Sequence, residues 1–162
     1  MQVVSMNVRK TLTYRQLNTG NIQAVFPLLC PVRERDWLDG WQCTLVHSHS
    51  GLIEPGCVFT TPHHGKQETT WYVTQHDPIH YSVEFVRVTP GESIVKINIA
   101  LQPISHDSTE TSITYEYTSL SETQNRFIQT ELEHEFKRSM MWWEKAINHY
   151  LSTGEKLLKS SL

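Results

Sequence analysis

A chain of 162 residues with 14 Lys and Arg against 17 Asp and Glu, a net charge of −3 and 38% hydrophobic residues has material for one domain with a core and little room for two. Charged residues at 19% exclude the high-charge, low-aromatic class of disordered chains. No Lys/Arg cluster runs longer than a pair, so a grip on nucleic-acid phosphates has almost nothing to work with and no nucleic-acid partner is expected.

The segment Met1–Met6 is interrupted by Asn7, Arg9 and Lys10 before it reaches the length of a leader's apolar core, and no stretch approaches the ~18 apolar residues of a membrane span. A cytoplasmic protein without stable membrane insertion is the expectation. Cys30, Cys43 and Cys57 form no CxxC pair and are odd in number, which predicts three reduced thiols.

From Val8 to Tyr14 apolar Val8, Leu12 and Tyr14 alternate with Arg9, Thr11 and Thr13, the period of a half-buried strand that ends at Asn18-Thr19-Gly20-Asn21. Asn18 or Thr19 is the expected cap of a first short helix carrying Ile22, Val25, Phe26 and Leu29, and Pro31 opens a second. From Trp41 six strands follow. Each is closed by turn chemistry, at His49-Ser50-Gly51, Glu54-Pro55-Gly56, Pro62-His63-His64-Gly65, His76-Asp77-Pro78, Thr89-Pro90-Gly91 and His106-Asp107-Ser108. Val95, Ile97, Ile99 and Leu101, and likewise Ile113, Tyr115 and Tyr117, alternate with polar residues, so the antiparallel sheet has one dry and one wet face. Trp41, Cys43, Leu45, Trp71, Val73, Tyr81, Val83 and Phe85 share the dry side.

Ser121-Glu122-Thr123-Gln124 has capping-box form, and Gly154 marks the left-handed end of one helix about 30 residues long. Ile128, Leu132, Phe136, Met140, Trp143, Ile147 and Leu151 make one apolar stripe along it, suited to packing on the dry face. The tail from Glu155 to Leu162 reads as expendable. Strand, two short helices, six strands and a long C-terminal helix define an α+β fold: a curved seven-stranded antiparallel sheet wrapped on that helix.

With this order of elements, and with the words Phe26-Pro27-Leu28-Leu29-Cys30-Pro31-Val32-Arg33-Glu34, Trp37-Leu38-Asp39-Gly40-Trp41, Val58-Phe59-Thr60-Thr61 and Thr70-Trp71, the chain resembles a bacterial branch of the START-related helix-grip superfamily. That group includes polyketide cyclases, lipid-transfer domains and the birch-pollen allergen family. The resemblance runs from about Val8 to Gly154. It implies one ligand-binding domain whose cavity, between sheet and helix, takes up a hydrophobic small molecule; no cofactor is expected. No Rieske-type Cys/His cluster and no catalytic residue of the cyclase members is matched, so what the resemblance carries over is architecture.

The candidate ligand-binding residues are Trp41, Cys43, Trp71, Tyr81, Phe85, Tyr115, Tyr117, Met140 and Trp143. Their rings suit either a cavity for a planar or sterol-like ligand or a solid aromatic core; the residues leave both open, and the resemblance implies the cavity. Arg33, Glu34, Arg35 and Asp36 fall in or after the second short helix. Arg33 is placed to meet an anionic ligand end and Glu34 to exchange a proton, but an alternating surface ion-pair network explains the same residues and is the favoured reading. His63-His64, with His76 and His80, is the only histidine concentration. Adjacent histidines in a hairpin diverge, and no HExxH occurs, so no metal is expected. Cys43, pointing inward, is the best-placed thiol for nucleophilic chemistry, although a buried cysteine ordinarily acts as a small hydrophobe. GxSxG, P-loop and GxGxxG spacings are missing. The reading that results is a non-enzymatic binder or carrier of a hydrophobic or aromatic molecule. The alternatives are a cyclase, aromatase or dehydratase acting on a polyketide-like substrate, and an interaction module pairing as a homodimer through a sheet edge or the helix.

Overall fold

Alternating inward and outward side chains build β1 (Arg9–Asn18), β2 (Thr44–His47), β3 (Val58–Pro62), β4 (Glu68–Asp77), β5 (Ser82–Thr89), β6 (Ser93–Ser105) and β7 (Ser108–Ser119). They form one antiparallel sheet in the order β1-β7-β6-β5-β4-β3-β2. The computed structural model describes residues 7–161, so the segment Met1–Met6 lies outside the described residues. Between β1 and β2 come α1 (Ile22–Val25), a 3-10 turn (Phe26–Leu29) and α2 (Pro31–Trp37). No helix among the described residues is long and apolar enough to cross a membrane.

Register sorts the inner face into rows. Tyr14, Ile113, Ile99 and Val83 align in one; Leu12, Tyr115, Ile97, Phe85 and Val73 in the next; Lys10, Tyr117, Val95, Arg87, Trp71 and Phe59 in a third. Beyond these a polar row, Thr61, Thr69, Thr89, Ser93 and Ser119, is buried and partly bonded to itself: the Thr69 and Thr89 hydroxyls lie 2.8 Å apart, and Trp71 Nε1 donates to Thr61 Oγ1 at 3.0 Å. The apolar rows thus lie between two buried polar ends, this hydroxylated one and, beyond the Tyr14 row, the pairs of Gln16 with Thr111 and Asn18 with Thr109.

The apolar stripe of the C-terminal segment is buried at Ile128, Leu132, Phe136, Met140 and Ile147, and half-buried at Trp143 and Leu151. The helix carrying it is not continuous. It divides into α3 (Glu122–Thr130) and α4 (Leu132–Thr153) at Glu131, whose φ of −126° leaves the helical range. Just before the break the Thr130 hydroxyl donates to the Arg126 carbonyl at 2.8 Å, the back-bond through which Ser and Thr bend helices.

Three further expectations are corrected. The cap of α1 is Asn21, whose side chain accepts from the Gln23 N–H. Asn18 is instead bonded inside the sheet to Thr111 (2.7 Å) and to Asn148 of α4 (3.1 Å), while the Thr19 N–H also donates to Asn148. The strand expected from Trp41 begins at Thr44, because Trp41 Nε1 (2.8 Å) and Cys43 Sγ (3.4 Å) both donate to the Pro31 carbonyl and hold this stretch on α2. The tail is docked: Leu157 bridges to Leu38, and the Lys159 N–H donates to Asp39 Oδ2 at 3.1 Å.

Ser121 caps α3 by accepting from the Gln124 N–H, and Gly154 ends α4 at φ +75°. A Cβ on Gly154 would meet nothing within 4 Å, so only backbone strain opposes a side chain there. Gly154→Ala is expected to lower stability by about 1 kcal/mol, seen as a lower urea midpoint at unchanged slope.

Candidate functional site

The rows of rings do not fill the space beneath α4. An inner cavity of about 130 Å³ is lined by Phe59, Trp71, Phe85, Ile97, Ile99, Ile113 and Tyr115 from the sheet, Met140 and Trp143 from α4, and Pro31, Glu34, Leu38 and Trp41 at the α2 end. An outer chamber of about 810 Å³ adjoins it toward the polar row, between His63, His64 and Glu92 on one side and Gln124, Phe127, Glu135 and Phe136 on the other. Trp41, Trp71, Arg87, Tyr115 and Met140 belong to both linings and form the wall between them.

The wall is ordered by ring packing. Trp71 stacks on Phe59 (centroids 5.2 Å apart) and meets Phe85 (6.0 Å) and Trp41 (6.1 Å) edge to face, while Tyr115 leans on Phe136 at 5.2 Å. Arg87 projects into it. Its guanidinium carbon lies 5.1 Å from the Trp71 ring, 5.4 Å from Tyr115 and 5.7 Å from Tyr117, and one of its N–H groups donates to the Tyr117 hydroxyl at 3.1 Å. Burial lifts the Tyr115 phenol above its ordinary pKa, with the Arg87 charge pulling it partly back.

Solved structures of similar shape exist at low sequence identity. Norcoclaurine synthase from Thalictrum flavum aligns at a TM-score of 0.66 and 14% identity, over 93% of this chain and 97% of its own. Ara h 8.0201 aligns at 0.68 and 13%, over 90% and 99%, and the ZhuI aromatase/cyclase from Streptomyces sp. R1128 at 0.69 and 6%, over 93% and 100%. The chain has the helix-grip fold. No protein-family model and no curated protein matches the sequence.

Within the helix-grip frame the charged cluster of α2 divides. Arg33 and Asp36 pair at the surface at 3.0 Å, as a surface network requires. Glu34 does not join them: it lies on the inner cavity, and its carboxyl makes no hydrogen bond or ion pair among the described residues. Burial raises its pKa well above the ordinary carboxylate range. Burial there favours the neutral acid, which can donate a hydrogen bond through its O–H and accept one at its carbonyl oxygen.

Of the other candidates, Trp41, Trp71, Phe85, Tyr115, Met140 and Trp143 line the inner cavity, and Tyr117 lines the outer one. Cys43 and Tyr81 line neither. Cys43 is turned to the Pro31 carbonyl, its thiol pushed up by burial, which disfavours the thiolate that nucleophilic attack needs. Tyr81, at φ +57°, packs edge to face on Phe26 with centroids 5.6 Å apart. Cys30, Cys43 and Cys57 are free thiols. His63 Nε2 lies 2.9 Å from both carboxyl oxygens of Glu92, tying the β3–β4 turn to the β5–β6 turn at the edge of the outer chamber. Among the described residues no three His, Cys, Asp or Glu side chains converge as metal ligands.

Arg87 is the main residue that sequence reasoning passed over. The signal was present, since Val83, Phe85, Arg87 and Thr89 share the inward parity of β5.

Proposed function

We propose that this chain takes up a hydrophobic or aromatic small molecule between its sheet and its C-terminal helix, with residues 8–154 acting as one ligand-binding unit. The observation that carries the reading is the pair of cavities behind a shared aromatic wall, apolar at the inner end and hydroxylated at the outer. Burial of the ligand's apolar surface supplies the affinity, and the few polar groups on the wall set its orientation. Norcoclaurine synthase, of the same fold, has been solved with dopamine and hydroxybenzaldehyde, which supports aromatic occupants for a space of this kind. A carrier role in the cytoplasm, for lipid-like ligands included, belongs to the same reading. Native mass spectrometry of protein purified from its own host should show a discrete added mass that denaturation releases. A bare protein mass, together with no change in Trp41 and Trp71 fluorescence on adding hydrophobic aromatics, would overturn it.

One observation favours a second reading, an enzyme of the cyclase, aromatase or dehydratase type acting on a polyketide-like substrate. Glu34 brings an unpaired carboxyl of raised pKa to the cavity that Tyr115 also lines, the environment in which a carboxylic acid works as a general acid at neutral pH. On this reading Glu34→Gln loses turnover and keeps binding. A substrate turned over equally by the variant would sink the reading.

A further inference from the structure

We propose that the molecule held in this cavity is an organic anion, a carboxylic acid carrying a single aromatic ring, whose carboxylate pairs with Arg87. The inference rests on the binding reading above and names the class of ligand.

Arg87 stands in an unusual place for a guanidinium. It occupies the inner face of a central strand, directly across from Trp71 in register, in a row otherwise made largely of rings. Arg9, Arg33 and Arg138 each meet a carboxylate at the surface, within 3.5 Å, 3.0 Å and 2.7 Å respectively. No carboxylate pairs with Arg87 among the described residues; its neighbours are three π faces and a phenol hydroxyl. Rings and a hydroxyl hold the cation in place without cancelling its charge. A guanidinium carries five N–H donors in a planar fork, and the group that matches the fork is a carboxylate.

The dimensions restrict what accompanies that carboxylate. Arg87 lies on the wall between the two cavities. The inner one, at about 130 Å³, is close in size to an apolar cavity of ~150 Å³ that takes up benzene. A single six-membered ring matches that volume, and any larger part of the molecule extends into the outer chamber. Arg87 fixes the direction: the ligand's anionic end belongs at the guanidinium on the shared wall, and its ring in the inner cavity toward α2.

The test uses 3-phenylpropionate, its neutral isostere 3-phenylpropionamide, and acetate, each titrated into the full chain and followed by calorimetry and tryptophan fluorescence. The acid should bind about tenfold or more tightly than the amide, the difference expected of a charge-assisted pair, and acetate should not bind in the same range. In Arg87→Gln, shown folded by circular dichroism, the preference for the acid should vanish; in Arg87→Lys it should persist in weakened form. Equal binding of acid and amide by the natural protein, a measurement that needs no variant, overturns the proposal while leaving the cavity reading intact. A preference that survives Arg87→Gln does the same. Acetate binding as tightly as the phenyl acid overturns the ring requirement and with it the proposed class, and binding of neither phenyl compound overturns this proposal while the cavity reading is decided by the native mass.

Discussion

Trp37→Ala should cost about 3–5 kcal/mol of unfolding free energy, the range for truncating a fully buried large aromatic. Trp37 is 0% exposed, its indole N–H donates to the Leu28 carbonyl at 2.9 Å, and its ring meets Trp143 edge to face at 5.0 Å. Alanine removes the contacts, opens a void and leaves a buried carbonyl without its donor. Because Trp143 lines the inner cavity, the loss should also loosen the site. Trp37→Phe separates the causes: it keeps much of the ring and gives up the hydrogen bond, for about 1–3 kcal/mol. Urea unfolding of the two variants checks both values, and a loss below 1 kcal/mol for alanine would mean that the α2–α4 contact carries little of the stability.

Glu34→Gln should change stability in a pH-dependent way. In the folded chain the carboxyl's pKa is raised by burial, so above the unfolded value of about 4.3 the native state binds more protons than the unfolded one. The natural protein therefore loses stability from this group as pH rises through the interval up to the folded pKa. Glutamine does not titrate, so the variant escapes that loss, and its stability relative to the natural protein should grow between pH 4 and neutrality. Other titrating groups are shared and cancel in the difference. Paired urea melts at pH 4 and pH 7.5 measure it; a difference independent of pH would place Glu34 in a water-like setting.

Most of the frame was legible because it rests on periodic patterns. Val95 to Leu101 and the stripe from Ile128 to Leu151 repeat with the period of the elements they form, and the turns fell where Gly and Pro required them. The break at Glu131 was not legible, since Ile128, Leu132 and Phe136 keep their four-residue spacing across it while a single backbone angle changes. Glu34 was read as a surface residue because its neighbours in sequence are charged. Its position on the cavity depends on how α2 meets the sheet and α4, which no local pattern records. Asn21 lost its role in the reading to two equally good capping residues a few positions earlier, and only the bonding of Asn18 to Thr111 and Asn148 decides between them.

The pairing of β1 with β7 bears on how the molecule comes into being. Arg9 meets Thr118, 109 positions away, across the first and last strands of the sheet. Closing so large a loop must precede any gain from the contacts it makes, which slows folding relative to chains rich in local contacts. During synthesis β1 is the first strand to emerge and the last to find its neighbour. Until β7 arrives, Leu12 and Tyr14 have no partner strand, which makes the nascent chain most prone to aggregate just before its sheet is completed.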